Sequence, residues 1–363
     1  MATHTDTVTG YDGLDESAFD EDASMDRTTA GRPATPTPAR GVLARTAQCL
    51  SDSYLRSAGS SNPFKRGARG ALRLARRGML KAADPIVEYQ LGPAQLAIPL
   101  SHDLPYIRAW ATRYGDNFVR IVAELNRQEG PAPIIDVGAN VGDTVALVRE
   151  VGDHPVLCVE GSSEYLPLLR ANVAPLGDVE IEPVFVGPAT LSGSFALHAS
   201  QGTAELRLIG GEDGGATIVP VDGILERHPR FASTRLLKID TDGFDALVLR
   251  SAESLLKQSH PVLFFEYFPD LAPDPDELPQ LFSYLAGLGY RRGLIYDATG
   301  DFLVGANLDD AEFMADIHSR YRGNPAMRYA DICAVHEDDE SIVTALRIAE
   351  RRLAESRVRP PGA

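Results

Sequence analysis

Acidic residues recur in this chain at the ends of short apolar runs. Ile134-Ile135-Asp136-Val137-Gly138-Ala139-Asn140-Val141-Gly142-Asp143-Thr144 reads as a buried strand entering a glycine-lined turn. Thr144 to Val151 reads as the helix that follows, closed by Gly152. Val156-Leu157-Cys158-Val159-Glu160-Gly161 is a second apolar run, its acid 24 positions after Asp136. Two more, Leu236-Leu237-Lys238-Ile239-Asp240 and Val262-Leu263-Phe264-Phe265-Glu266, also end in acids. A strand turning through glycine into a helix is the first half of a nucleotide-binding α/β unit, and an acid at the next strand tip suits the two ribose hydroxyls.

The type of nucleotide follows from the turn. A dinucleotide turn, Gly-x-Gly-x-x-Gly, sets a helix N-terminus against a pyrophosphate. Here Gly138 and Gly142 flank Asn140, with no glycine at the pyrophosphate position. Asp136 and Asp143 would repel a bound phosphate. S-adenosylmethionine has no phosphate and carries a cationic sulfonium and an ammonium, so a carboxylate-rich turn suits it. In open α/β sheets ligands bind at the carboxyl ends of strands, where Asp240 and Glu266 also lie. Asp242, by contrast, reads equally as a cap for the helix Ala246–Leu256.

The elements that must position these residues are an α/β series preceded by a lid. Val87–Leu91 and Gln95–Leu100 form a hairpin across Gly92-Pro93. His102 and Tyr114 are lid candidates, on or just before a helical run from Pro105 to Leu125. After Glu160 come a helix from Tyr165 to Val173 and a strand from Val179 to Val186. An inserted hairpin over residues 194–198 and 203–208 contains His198, and residues 209–216 read as a mobile loop. Past Glu266 the pattern gives a helix from Leu278 to Leu288, a strand from Arg292 to Asp297, a closing strand from Ala330 to Val335 and a charged helix from Asp339 to Glu355.

The division expected is a disordered low-complexity tail over 1–62, a basic helix with hairpin and lid over 63–130, a catalytic domain over 131–338, and a C-terminal helix and tail over 339–363. Residues 63–82 are basic and amphipathic, which suits either an acidic neighbour in this protein or weak contact with an anionic membrane surface. The net charge is −16, and beyond position 82 there are 23 Lys and Arg against 42 Asp and Glu. A body that negative disfavours nucleic acid as a partner. Cys49, Cys158 and Cys333 lack both disulfide and metal-ligand spacing, and no apolar run has the length of a membrane span. The expected location is cytoplasmic. Oligomeric state is not legible.

With these stretches assembled, residues 85–335 resemble the FkbM family of S-adenosylmethionine-dependent methyltransferases. The turn Asp136–Thr144, the block Lys238-Ile239-Asp240-Thr241-Asp242-Gly243-Phe244-Asp245 and Phe265-Glu266 carry the resemblance. It implies an α/β, Rossmann-like, seven-stranded class I methyltransferase sheet flanked by helices. It also implies methyl transfer to a hydroxyl of a sugar, glycan or natural product. By position, Asp136, Gly138, Asn140, Gly142 and Thr144 would line the methionine end of the cofactor, with Glu160 on the ribose and Gly161 beside it. Where the family commonly has Glu in the fourth-strand block, this chain has Asp242 and Asp245.

A hydroxyl becomes a good nucleophile as its proton leaves, so a base is expected. Asp240 is the first candidate, with Glu266 and His102 in reserve. Asp240, Asp242 and Glu266 also permit a divalent cation that would lower the hydroxyl pKa, without requiring one, and metal dependence is not the favoured reading. The rivals are a nicotinamide (NAD-type) oxidoreductase, against which Asp143 argues, and a non-catalytic binding protein on the same fold.

Overall fold

A computed structural model of the chain describes residues 41–58, 62–188, 195–200, 203–208, 218–324 and 329–358. They begin with a helical hairpin, α1 (Val42–Ser57) and α2 (Pro63–Leu80), and a β-hairpin, β1 (Ile86–Leu91) and β2 (Ala94–Pro99). Helices α3 (Leu104–Trp110) and α4 (Asp116–Glu129) lead into β3 (Ile134–Val137), α5 (Asp143–Val148), β4 (Val156–Val159), α6 (Leu166–Val173) and β5 (Val179–Glu182). Two short strands, β6 (Phe185–Val186) and β9 (Ile218–Val219), bracket the hairpin β7 (Phe195–Ser200) and β8 (Thr203–Leu208). Then follow α7 (Val221–Leu225), β10 (Leu236–Ile239), α8 (Asp245–Arg250), α9 (Glu253–Ser259) and β11 (Val262–Tyr267). The chain continues with α10 (Gln280–Gly287), β12 (Arg292–Asp297), β13 (Phe302–Asn307), α11 (Ala311–Tyr321), β14 (Ala330–Val335) and α12 (Glu340–Val358).

The main sheet has eight strands in the order β13-β12-β14-β11-β10-β3-β4-β5. Strands β5, β4, β3, β10 and β11 are parallel, β14 is antiparallel to both its neighbours, and β13 is a further edge strand. The seven expected strands are therefore present, with β13 added by the turn at Gly300. All four residues of β3, β4 and β10 are buried. That is the pattern of parallel strands covered on both faces, and it explains why these runs read as continuous rather than alternating apolar stretches. The chain leaves β3 toward β4 and β5 and returns on the other side as β10, so the topological switch point lies between β3 and β10.

Three expectations are corrected. The tail expected over 1–62 is helical from Val42 to Ser57, while residues 1–40 and 59–61 lie outside the described ones. Ala44, Ala47 and Ser51 bury the inner face of α1, and Gln48 satisfies the edge of β1 by accepting from the Glu88 amide (2.8 Å) and donating to its carbonyl (3.0 Å). The single helical run expected from Pro105 to Leu125 is two helices: α3 ends at Trp110, and Gly115, with φ of 83°, opens α4. The helix expected from Ala246 to Leu256 is likewise two, α8 and α9. The loop 209–216 lies outside the described residues, and the strands Phe195–Ser200 and Thr203–Leu208 pair in their own two-stranded sheet among those described.

The basic helix turns one charged side inward. Arg76 of α2 donates to the Leu100 and Ser101 carbonyls, pairs with Asp103 (3.0 Å) and lies over the Tyr106 ring. Among the described residues no helix is long and apolar enough to cross a membrane.

Candidate active site

The register of the central strands sets Lys238 directly beside Asp136. The Lys238 ammonium reaches Asp136 Oδ1 at 3.0 Å and Asp240 Oδ2 at 3.3 Å. Burial alone would lower the Lys238 pKa, but Asp136, Asp240 and Asp143 outweigh it and hold the group well above its ordinary value. Asp136 is fully buried; burial raises its carboxyl to about 6 against the lowering pull of Lys238. Its Oδ2 is buried without a hydrogen-bond partner. An orphan carboxylate oxygen at the switch point is an acceptor held ready for a donor or cation.

After β3 the backbone makes the expected tight turn, for reasons partly different from those expected. Gly138 (φ 79°) donates to the Val159 carbonyl, and a Cβ there would overlap the Asp240 carbonyl oxygen. Gly142 (φ 86°) faces Val173 and Leu169 of α6. These two glycines let strand tips and helix approach each other closely. Asn140 takes the left-handed conformation at φ 46°, uncommon for a residue with a side chain. Glu160 holds it there: Oε2 accepts the Asn140 amide at 2.8 Å and Oε1 accepts the Ser162 amide at 2.6 Å. Burial raises the Glu160 pKa while those amides oppose the shift. Each carboxylate oxygen keeps a further lone pair. Thr144 is buried at the start of α5, next to Asp143, whose pKa burial raises.

Gly161 is covered by the ring of Phe185, which occupies the space a Cβ would need. His102 lies against the turn rather than the acid edge. Its Nδ1 accepts the Leu104 amide, so its Nε2 carries the proton and donates to Asn140 Oδ1 (3.3 Å). Burial lowers its pKa, which keeps the ring neutral. With both nitrogens engaged, His102 positions Asn140.

The second turn, after β10, repeats the logic of the first. Asp242 is left-handed at φ 49°. Asp245 is buried and closes the turn, accepting from the Thr241 hydroxyl (3.0 Å) and from the Glu266 amide (3.1 Å); burial and Asp240 raise it to about 6. Glu266 pairs in register with Asp331 of β14. Burial, then Asp240, Asp245, Asp331 and Asp242, push Glu266 well above the carboxylate range. Asp331 accepts from Asn117 (2.7 Å) and is raised to about 7, chiefly by burial. Tyr114 from the α3–α4 corner and Tyr329 before β14 both feel Asp240, Glu266 and Asp331, and both phenols are raised well above their usual value, first by burial.

Asp136, Asp240 and Glu266 are thus joined by Lys238, Asp331, Tyr114 and Tyr329, while Glu160 and His102 converge on Asn140. Of these, sequence reasoning missed Lys238, Asp331, Tyr329 and Phe185. Lys238 left a signal, a charge inside an otherwise apolar run two positions before Asp240. Asp331 and Phe185 left none, since their relevance comes from sheet order and from contact with Gly161. Among the described residues, the ligand atoms that gather closely enough for a metal belong to His260, His336 and Asp338, and not to Asp240, Asp242 and Glu266.

Comparison with known proteins finds a similarity over this site. Residues 136–292 match the methyltransferase FkbM domain. No curated protein matches the chain. Solved structures similar to it include the methyltransferase FkbM from Methylobacillus flagellatus KT, at 13% identity, covering 56% of this chain and 43% of that one with a TM-score of 0.33. The O-methyltransferase from Bacillus cereus in complex with SAH is similar at 14% identity, over 60% of this chain and 79% of that one, TM-score 0.34. The plantazolicin methyltransferase BpumL is similar at 8% identity, over 82% and 100%, TM-score 0.35. The chain spans less than half the length of the M. flagellatus protein. The matched residues 136–292 hold both acidic turns and Glu266, so the part of the chain that forms the site is the part similar to the FkbM methyltransferase domain.

Proposed function

We propose that the protein transfers a methyl group from S-adenosylmethionine to a hydroxyl of a sugar, glycan or natural product. The observation that carries this reading is the cation-seeking edge at the switch point: the orphaned Asp136 Oδ2, with Asp143 and Asp240 beside it. These donor types fit a ligand bearing ammonium and sulfonium charges and repel a pyrophosphate. Glu160, rigid between two amides, keeps lone pairs for two ribose hydroxyls, and the Asn140 turn lies directly beside it. Phe185 over Gly161 supplies a flat apolar face where a purine can stack.

S-adenosylmethionine supplies a methyl carbon on a sulfonium sulfur that leaves as a neutral thioether. The chain's part is to bind the acceptor in line, exclude water and remove one proton. Asp240, half-exposed and steadied by Lys238, is the base. It takes the hydroxyl proton as the oxygen–carbon bond forms and the carbon–sulfur bond breaks, then releases it to solvent. Glu266, pushed well above the carboxylate range by burial and then by the surrounding acids, serves as a hydrogen-bond donor to the acceptor. Tyr114 and Tyr329 line the acceptor side.

The test is an assay with methyl-labelled cofactor against hydroxylated acceptors, paired with calorimetric cofactor titration. Asp240→Asn is expected to lower kcat about 10²–10⁴-fold with cofactor affinity nearly intact. Glu160→Gln is expected to weaken the cofactor itself. Near-normal turnover in Asp240→Asn would remove the base assignment.

A further inference from the structure

At the opposite, amino-terminal edge of the parallel strands, two histidines stack with ring centroids 3.6 Å apart and planes 11° from parallel. His260 immediately precedes the segment entering β11, and His336 immediately follows β14. Asp338 lies under both, its Oδ2 2.9 Å from His260 Nδ1 and 3.3 Å from His336 Nδ1.

The ring nitrogens and the carboxylate of this trio turn toward one another. His260 Nε2 faces the Lys257 carbonyl at 3.1 Å, and a carbonyl only accepts, so Nε2 carries the proton. Its Nδ1 faces the Asp338 carboxylate. His336 Nδ1 accepts the Asp338 amide at 3.2 Å, so it is the unprotonated nitrogen of that ring, and it lies near the same carboxylate oxygen. The three ligand atoms lie within 4.8 Å of one another. A cation shared by all three would draw the His336 lone pair from the Asp338 amide. The arrangement of His260, with one ring nitrogen inward and the other donating to a backbone carbonyl, is the usual one for a metal-ligating imidazole. Ligand atoms about 2.0–2.1 Å from a tetrahedral zinc stand about 3.3 Å apart, the His336–Asp338 separation found here.

We propose that His260, His336 and Asp338 form a binding site for a divalent transition-metal ion, of which zinc is the best fit to two imidazoles and one carboxylate. The ion would clip the α9–β11 corner to the β14–α12 corner. His260 also sits in a left-handed backbone conformation (φ 47°), uncommon for a residue with a side chain. Its side chain is about a third exposed, free to swing off the face of His336 as the two lone pairs converge on one ion. His336 is buried against Gly289, where a Cβ would overlap its ring, and stays fixed. The neighbouring cation, Arg235, is tied to Glu129 and Asp339, leaving Asp338 to the histidines.

The experiment is calorimetric titration of chelator-stripped full-length protein with zinc chloride alone, repeated with cobalt(II) to read tetrahedral ligand-field bands. One saturable event with those bands is expected in the wild type. It should be lost in His260→Asn, which tolerates the left-handed backbone, and in Asp338→Asn, at a largely exposed position. Absence of a saturable event in folded wild-type protein, or its survival unchanged in both variants, overturns the proposal. Neither readout involves methyl transfer.

Discussion

Lys238 carries a full charge in a strand whose other three residues are apolar and buried, and it stands between Asp136 and Asp240. Taking an ion out of water costs several kcal/mol, recovered only while its partners are in place. Lys238→Met would leave two carboxylates facing each other with nothing between them. It is expected to cost on the order of 3–5 kcal/mol in urea unfolding, with Lys238→Met/Asp136→Leu recovering much of that loss. A neutral single variant would mean that the lysine does not govern the acid pair. Asp136, Asp240, Glu160 and Glu266 were legible because each ends an apolar run. Lys238 was visible in the same run and was read as part of a strand, since its partner is fixed by pairing of β3 with β10 over about a hundred residues of sequence.

The two turns that follow β3 and β10 are built alike, each with one non-glycine residue in the left-handed region, Asn140 and Asp242. Local strain kept at paired positions on one sheet edge points to function when the surroundings hold it in place, as Glu160 does for Asn140. Gly138 is where the first turn touches the second. Gly138→Ala would combine an unfavourable φ with overlap against the Asp240 carbonyl, and is expected to destabilise by at least about 2 kcal/mol in thermal unfolding. Gly161→Ala meets only the movable Phe185 ring and should cost clearly less. If the order were reversed, the turn-to-turn contact would not be what fixes the site. Strand–turn–helix units were legible from period and glycine placement. The breaks at Gly115 and between α8 and α9 were not, because amphipathic period continues across them. Helix α1 was hidden by its composition: it packs with Ala and Ser, and its anchor to β1 is a single glutamine.

Across the whole molecule the acids are not spread evenly over the surface, since Asp136, Asp245, Glu266 and Asp331 are gathered at one edge and raised by burial. A carboxyl raised above its unfolded value binds its proton more tightly in the native state. Its stabilising contribution is complete below the unfolded pKa and is lost as pH rises through the folded one. For Asp331 that window runs from the ordinary value of 3.8 to about 7. Asp331→Asn should therefore remove part of the fall in stability across that window, about 2 kcal/mol after allowance for its partial exposure, measured as the difference between urea midpoints at the two ends. An unchanged pH slope would show that Asp331 ionises freely. At this scale the sheet and its switch point were legible from the order of apolar runs. The edge strand β13 was not resolved as a partner of β12, because a short run after a turn does not reveal which strand it joins.

The proposed ligand is a sulfonium donor, and no phosphate-bearing one, fitting between β3 and β10. Isothermal titration of the full chain with S-adenosylhomocysteine and, separately, with NAD tests this most directly. The prediction is saturable binding of S-adenosylhomocysteine that weakens in Asp136→Asn and Glu160→Gln, with no binding of NAD. Saturable NAD binding sensitive to the same two substitutions, with S-adenosylhomocysteine silent, would contradict it.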